Sequence, residues 1–589
     1  MTKYSDLLVD WLVEFGYTHC FYVAGGNIMH MLESVRHKFT CIPVVHEVAG
    51  GIAAEYFTEV NLGGKAFALV TAGPGLTNII TAIAGAYLES RELLVIGGQV
   101  KTADLSRGQV RQRGFQEIDG VTLVKSITER SVLLDSVVDR ATFRDMTRFG
   151  VEGRGGPVFI EIPLDIQGAN ADPTALNTPL RPFTRHFDTA PPASIQAMQA
   201  KFTQSKRPIL LIGPGVSRDT AAEFLPKITA LGVPLMVTWN ATDRIDADHP
   251  LYFGRPNTWG QRCANALLQQ ADLLIAIGVR LSVQQTGFNW QQFVPIGEVV
   301  QIDCDQHELD KGHPKIHLPI CADANVVIAD ICNATPPECT EWVVFCREMR
   351  DLLPLVENVN HTGPGYLSPY VFIDQLSKLA TANDIVIPCS SGSAFTVTYQ
   401  TLSQKAGQRI VSDKGLASMG YGLSGAMGAA FAGKGRRTIL VEGDGGFAQN
   451  FQELGTVSVN RLNLKIFLFD DNGYASIRMT QKNYFGGSYV GCDTSTGLGM
   501  PNWEIIFPAY GIPVLRCRPG FETDPEFLKN FNAPGPAAFL VHVDPEQTYF
   551  PKISSRITAT GGMESNPIHL LTPDLDKELA AKVFRYLAV

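Results

Sequence analysis

The chain is 589 residues long with a formal net charge of −9, too long for a single hydrophobic core, so three domains are expected. Hydrophobic residues make up 45% and charged residues 18%, an ordinary soluble globular composition, and the acidic balance argues against nucleic acid or an anionic membrane as a main partner. The 11 cysteines are scattered, with no CxxC pair and no His/Cys cluster at zinc spacing, which reads as buried thiols in a reducing compartment. No apolar run is long enough to span a bilayer, and a cytoplasmic location is expected.

In chain order, the opening MTKYSDLLVDWLVEFGY has the spacing of an amphipathic helix carrying acids, not of a signal peptide. CIPVVHEVAGGIAAEY then reads as a buried strand that stops at His46 and Glu47 and opens into a tightly packed Ala/Gly helix. AFALVTA precedes a helix from Gly75, and ELLVIGG follows. The stretch 168–193, rich in Pro, Thr and Asn, reads as a linker. PILLIGPG with its helix, DLLIAIG and VVQID come next, then a second break at 354–368, then TILVEGDGG and LKIFLFDDNG. Apolar β-rich runs alternating with helical patterns predict an α/β protein of three doubly wound parallel-sheet domains. The boundaries expected are 1–170, 190–350 and 365–545, with a tail over 546–589.

The sharpest chemistry lies in residues 437–477. A strand over 438–442 ends in Gly443-Asp444-Gly445-Gly446, a helix is expected over 447–460, and a strand over 464–469 ends in Asp470-Asp471-Asn472-Gly473. In a right-handed βαβ unit consecutive parallel strands lie side by side with their C-terminal ends on one edge. Asp444 and Asp471, 27 positions apart, are therefore expected at neighbouring strand tips. Two carboxylates there, with the Gly473 carbonyl, suit Mg²⁺ that keeps room for phosphate oxygens, and the glycines let backbone N–H groups approach those phosphates. GDGG alone would read as a tight turn with solvated carboxylates; the two tips together favour a diphosphate–Mg²⁺ site.

GDG followed at this spacing by an Asn-type turn resembles the signature of thiamine-diphosphate enzymes. VVHEVAGGIAAEY resembles the junction that carries the single glutamate of that family's first domain. GPGLTN, GGQV, GFQEID and GPVFIEIPLD, then GPGV, DHPLYFG, DLLIAIGVRLS and QIDCDQHELDK, follow the order of the acetolactate-synthase branch. The resemblance covers nearly the whole chain and implies a pyrimidine-binding first domain, a central Rossmann-like domain and a diphosphate-binding last domain.

The resemblance also assigns roles. Glu47 would hydrogen-bond N1′ of the aminopyrimidine and promote its imino tautomer, which needs a carboxyl group shielded from water; taken alone, it would be a helix N-terminal carboxylate. Met419 would prop the coenzyme in its bent form, although by periodicity it is core filler, and the Ala417 carbonyl would accept from the 4′-amino group. Ser393, Gly443, Gly445, Gly446, Gly473, Tyr474 and Ala475 fall around the diphosphate. Gly26, Asn27, His30 and Gln116 fall around the reacting carbon, His30 reading equally as a structural histidine. Family members join the two ends of the coenzyme across a subunit interface, so a homodimer or homotetramer is implied.

Asp471 stands where most members carry Asn, with Asn472 as the alternative register. Ser476 and Thr480 occupy positions where acetolactate synthases carry Met and Trp, so the acceptor pocket differs. The middle third resembles an FAD-binding domain, with Gly213, Gly215, Thr238, Gly278, Arg280, Asp303 and Asp305 at strand ends; a vestigial nucleotide site is the alternative. The expected activity is decarboxylation of a 2-oxo acid, pyruvate in the simplest case, followed by addition to an acceptor aldehyde or ketone such as a keto-sugar. Acetolactate synthesis, a flavin-dependent oxidase and a non-catalytic binding protein are the rival expectations.

Overall fold

The computed structural model describes residues 2–60, 62–148, 153–180, 189–557 and 560–587. Residues 181–188 of the expected linker, and 558–559 and 588–589 of the expected tail, lie outside the described residues. The chain forms two compact units: Met1–Arg185 with Asn383–Phe395 and Arg409–His542, and His186–Ala382 with Thr396–Gln408 and Val543–Val589.

The first unit opens with α1 (Tyr4–Glu14), β1 (Tyr17–Tyr22), α2 (Met29–Val35), β2 (Thr40–Pro43), α3 (Glu47–Val60), β3 (Lys65–Val70), α4 (Pro74–Glu89), β4 (Leu93–Gln99), β5 (Arg130–Leu133) and β6 (Pro157–Pro163). The strands form one parallel sheet in the order β2-β1-β3-β4-β6-β5. β4 and β6 are buried along their whole length, which is why they read as unbroken apolar runs. The expectation of a buried strand before Glu47 needs correcting. β2 is an edge strand in which only Ile42 is buried, and Val45 beyond it is 60% exposed. Its closing Pro43 has no N–H to offer a neighbour, which suits an edge.

The second unit carries β7 (Pro208–Ile212), α5 (Arg218–Ala230), β8 (Leu235–Val237), β9 (Leu273–Ile277), β10 (Glu298–Asp303) and β11 (Leu318–Cys321). The sheet is parallel in the order β8-β7-β9-β10-β11. The tail belongs to this unit: Ile568, Val583 and Phe584 enter its core, and the side chains of Asn265 and Gln270 donate to the Ile568 and Val583 carbonyls.

The chain then returns to the first unit for all six strands of a third sheet. It is built from β12 (Ile385–Ile387), α6 (Gly392–Thr401), β13 (Arg409–Ile410), α7 (Tyr421–Ala432), β14 (Thr438–Gly443), α8 (Asp444–Phe447), α9 (Leu454–Val459), β15 (Leu464–Asp470), α10 (Ala475–Phe485), β16 (Val514–Cys517) and β17 (Ala537–His542). Its order, β13-β12-β14-β15-β17-β16, is all parallel and repeats that of the first sheet strand for strand. The helix expected over 447–460 is broken: α8 starts at Asp444 itself, and Asn450 leaves helical geometry and donates its side-chain amide to the Gly420 carbonyl.

The helices that follow the second strand of each six-stranded sheet, α3 and α7, pack against each other. A Cβ on Gly428 would stand 2.1 Å from the Ala53 carbonyl oxygen, and one on Gly425 2.5 Å from the Tyr56 ring. Ala53 serves this backbone-to-backbone approach, while Gly51, also among the small residues that marked 47–60 as tightly packed, makes room for Ile79 and Ala82 of α4. Among the described residues no helix is long and apolar enough to cross a membrane.

Candidate active site

β14 and β15 are direct neighbours, so their C-terminal tips bring Asp444 and Asp471 together. Asp444 is 1% and Asp471 2% exposed. The Gly473 N–H donates to both Asp444 carboxylate oxygens at 3.1 Å. Neither Asp471 carboxylate oxygen has a hydrogen-bond partner. Asn472 is exposed at φ +66°, so Asp471 is the inward residue of the turn. Burial, and then the charge of Asp470, pushes Asp444 up to about 7. Burial and then Asp444 raise Asp471 well above its ordinary range. The nearest cation, Arg478, is 3.9 Å from Asp471 and donates to the Asp471 and Asn472 carbonyls. Two buried carboxylates facing one another, with only Arg478 at 3.9 Å to offset them, carry a large desolvation penalty that a divalent ion would relieve. The donor set fits Mg²⁺.

Glycine lets the loops at these adjacent strand tips close against one another. A Cβ on Gly445 would meet the Tyr474 ring at 2.5 Å and the Gly473 carbonyl at 2.8 Å. Gly473 adopts φ +121°, where a side chain would strike the Cys492 carbonyl. α10 begins at Ala475, α6 begins at Gly392–Ser393 on the adjoining strand β12, and a Cβ on Gly392 would come within 3.9 Å of the Ser476 hydroxyl. Gly443 ends β14, and Gly446 lies against Glu442.

The first sheet presents the other set. Glu47 opens α3 and is 8% exposed; its Oε2 accepts from the Asn78 side chain at 2.9 Å. Gly26 and Asn27 form a short turn after β1, the Asn27 carbonyl accepting from Gln167. Gln116, at φ +63°, brings its carbonyl to 2.4 Å from where a Gly73 Cβ would stand. Glu117 secures that loop by accepting N–H groups of Ser106, Arg113 and Gly114. His30 turns its ring against Gly168.

Each six-stranded sheet holds the other's loop. Glu453, fully buried, accepts the N–H groups of Val45 and His46, the residues just before Glu47, at 3.0 and 3.1 Å. Its second oxygen takes the Thr456 hydroxyl, and burial raises its pKa. Conversely, Glu89 accepts from Lys414 and Gly415, and Arg91 donates to the Ser412 carbonyl. Asp413 then takes the N–H groups of Leu416 and Ala417 at 3.1 Å. Ala417 is held at φ +54°, and Met419 is 37% exposed. Asn78, Glu89, Glu453 and Arg478 were not expected from the sequence; their partners lie up to 408 positions away, and no local pattern signals them.

Glu161, on β6 beside Gln99, is pushed up to about 8 by burial, and its Oε1 has no partner. A carboxyl raised from 4.5 to about 8 lends stability below pH 4.5 that is lost as pH rises to 8 and above. Glu161→Gln should therefore match wild type in Tm at pH 4.5 and exceed it by on the order of 5 °C at pH 8, read by thermal denaturation of the coenzyme-free protein.

In the second unit the central candidates converge at the point where strand order reverses, between β7 and β9. Gly213 and Gly215 pack backbone-to-backbone on Gly278, with a Gly215 Cβ placed 2.7 Å from the Gly278 Cα. The Thr238 hydroxyl is buried without a partner, the Arg280 side chain makes no ion pair among the described residues, and Asp303 closes β10 and takes the Asp305 N–H. A donor, a guanidinium and glycine turns at a switch point fit a nucleotide.

Three domain families match the chain: "Thiamine pyrophosphate enzyme, N-terminal TPP binding domain" over 2–123, the central domain over 195–331 and the "C-terminal TPP binding domain" over 390–542. The acetolactate synthase isozyme 1 large subunit of Escherichia coli is 28% identical over 560 residues, covering 93% of this chain and 95% of that protein. The isozyme 2 large subunit is 28% identical over 513 residues, covering 86% and 89%. A probable acetolactate synthase large subunit of Methanocaldococcus jannaschii is 28% identical over 531 residues, covering 87% of each. The chain belongs to the thiamine-diphosphate-dependent enzymes, in the acetolactate synthase-like branch that forms C–C bonds.

Proposed function

We propose that the protein is a Mg²⁺-dependent carboligase that decarboxylates a 2-oxo acid, pyruvate in the simplest case, and adds the two-carbon acyl unit to an acceptor aldehyde or ketone. The observation that supports this is the pair of buried carboxylates, Asp444 and Asp471, at neighbouring strand tips, the Asp471 oxygens accepting no hydrogen bond among the described residues. Asp444, Asp471 and the Gly473 carbonyl would hold the ion. Gly443, Gly445, Gly446, Tyr474, Ala475 and Ser393 would border the diphosphate, with helix N-termini supplying donors. When bound, thiamine diphosphate supplies the electron sink that lets the carboxylate leave. Glu47, 8% exposed and hydrogen-bonded by Asn78, would share a proton with the aminopyrimidine N1′. The Ala417 carbonyl would accept from its 4′-amino group, Met419 would support its bend, and Gln116, Gly26 and Asn27 would border the reacting carbon.

The acceptor pocket is polar where acetolactate synthases are bulky. Ser476 and Thr480 share one turn of α10, the Thr480 hydroxyl donating to the Ser476 carbonyl at 2.9 Å. Small hydroxyl side chains leave room for a larger, oxygen-rich electrophile such as a keto-sugar. Acetolactate synthesis, the activity named for the relatives, is the second reading. Mass spectrometry of products from pyruvate with a panel of aldehydes, ketones and nucleotide-linked keto-sugars separates the two. Acetolactate as the major product throughout would overturn the keto-sugar proposal.

FAD at Gly213, Gly215, Thr238, Gly278, Arg280 and Asp303 is supported by the unsatisfied Thr238 hydroxyl and the unpaired Arg280. Assembly as a homodimer or homotetramer is supported by apolar side chains left open near the first-sheet loops, Phe115 at 83% and Val110 at 55% exposed. Eleven free cysteines suit a reducing cytoplasm.

Glu453 acts in this scheme as a positioning residue. Glu453→Ala leaves two backbone N–H groups without acceptors and frees the turn before Glu47. It is expected to lower kcat about 10-fold, roughly the effect of misplacing a reacting group by a fraction of an ångström. Coenzyme affinity should stay within threefold of wild type. Steady-state kinetics check this, with Glu453→Gln recovering most of the rate.

A further inference from the structure

The second unit contains a cavity of about 160 Å³. None of the residues gathered at the β7–β9 switch point lines it. Three arginines do: Arg255 and Arg262, 1% and 4% exposed, and Arg350, exposed. Arg262 is neutralised by a two-pronged pair with Glu357. Arg255 is not. Its Nε donates to the Tyr399 carbonyl at 2.7 Å, Nη2 to Leu402 at 2.7 Å, and Nη1 to the Gln404 side chain at 2.7 Å and the Tyr252 hydroxyl at 3.2 Å. All four acceptors are neutral, and the fifth N–H of the guanidinium has no acceptor among the described residues.

A guanidinium cannot shed its charge by losing a proton, so burial without a counter-ion is costly. Tyr399 and Leu402 lie at the C-terminal end of α6, whose partial negative charge of about half a unit offsets some of this. It does not offset all of it. Arg350 adds a second cation, held over the Phe253 ring and donating to the Tyr252 carbonyl at 3.2 Å. The other carboxylate on the wall, Asp248, is exposed to solvent and makes no ion pair with either arginine.

We propose that this cavity binds a compact oxyanion, the carboxylate or phosphate group of a small molecule, between Arg255 and Arg350. Guanidinium groups take such groups through paired N–H donors. The volume exceeds by several-fold the roughly 10–15 Å³ that one water occupies on the same measure, so more than a bare ion fits.

Calorimetry of the protein saturated with thiamine diphosphate, Mg²⁺ and FAD tests this, titrating inorganic phosphate or sodium succinate at constant ionic strength. Saturable binding of either probe is expected, at least 10-fold weaker in Arg350→Glu, with kcat of that variant within twofold of wild type. Phosphate alone would point to a phosphate ester, succinate alone to an organic acid, and both to a general oxyanion site. Arg350 is exposed, so its variant tests the site without disturbing the core. No saturable binding of either probe, or binding equally tight in Arg350→Glu, overturns the proposal and leaves Arg255 as a helix C-terminal cap.

Discussion

Glu47→Gln is expected to lower kcat about 10²- to 10⁴-fold, the range general acid–base catalysis contributes, while coenzyme binding stays nearly unchanged. The substitution keeps the volume and polarity of the side chain, so α3 still starts at 47 and Asn78 still has an oxygen to donate to. What is lost is an acid that can hand a proton to N1′ and recover it. A helix-start carboxylate serving only the helix dipole would leave the rate within twofold and cost less than about 1 kcal/mol of stability. Single-turnover decarboxylation of pyruvate together with coenzyme titration separates the two outcomes.

Asp471→Asn should produce two changes of opposite sign. Without metal, the variant removes one of two buried, mutually repelling carboxylates, and the coenzyme-free protein should gain stability, on the order of 1–2 kcal/mol. With Mg²⁺, the same change replaces a carboxylate ligand by the neutral amide oxygen that most family members carry there, and coenzyme affinity should fall by no more than about 10-fold. Asp444→Asn should lose affinity at least as severely, because Asp444 also organises the Gly473 N–H. Thermal denaturation with EDTA and with Mg²⁺ plus coenzyme reads both signs. A solvated surface aspartate would move neither.

Local pattern carried the βα units and the two carboxylate-bearing tips, because parallel pairing forces 444 and 471 together once both strands are recognised. It could not show that the strand before Glu47 is an edge. The run CIPVV is apolar enough for an interior strand, and only the pairing of β2 with β1 alone distinguishes the two cases. It also missed the break after Phe447, since Asn450 is drawn out of the helix by Gly420, thirty positions away. Glu453 and Glu89 were illegible for the same reason. Their function lies in backbone N–H groups of a different sheet, and backbone donors carry no side-chain signature. The shared strand order of the two six-stranded sheets has no local signature in the sequence, because topology survives where residue identity does not.

The central claim is that a divalent ion on Asp444 and Asp471 ties the coenzyme's diphosphate to this chain. Calorimetric titration of thiamine diphosphate into coenzyme-free protein tests it most directly, with Mg²⁺ and again with EDTA. One coenzyme per chain, taken up with Mg²⁺ and lost in EDTA and in Asp444→Asn, is the expected result. Equal affinity in all three would contradict it.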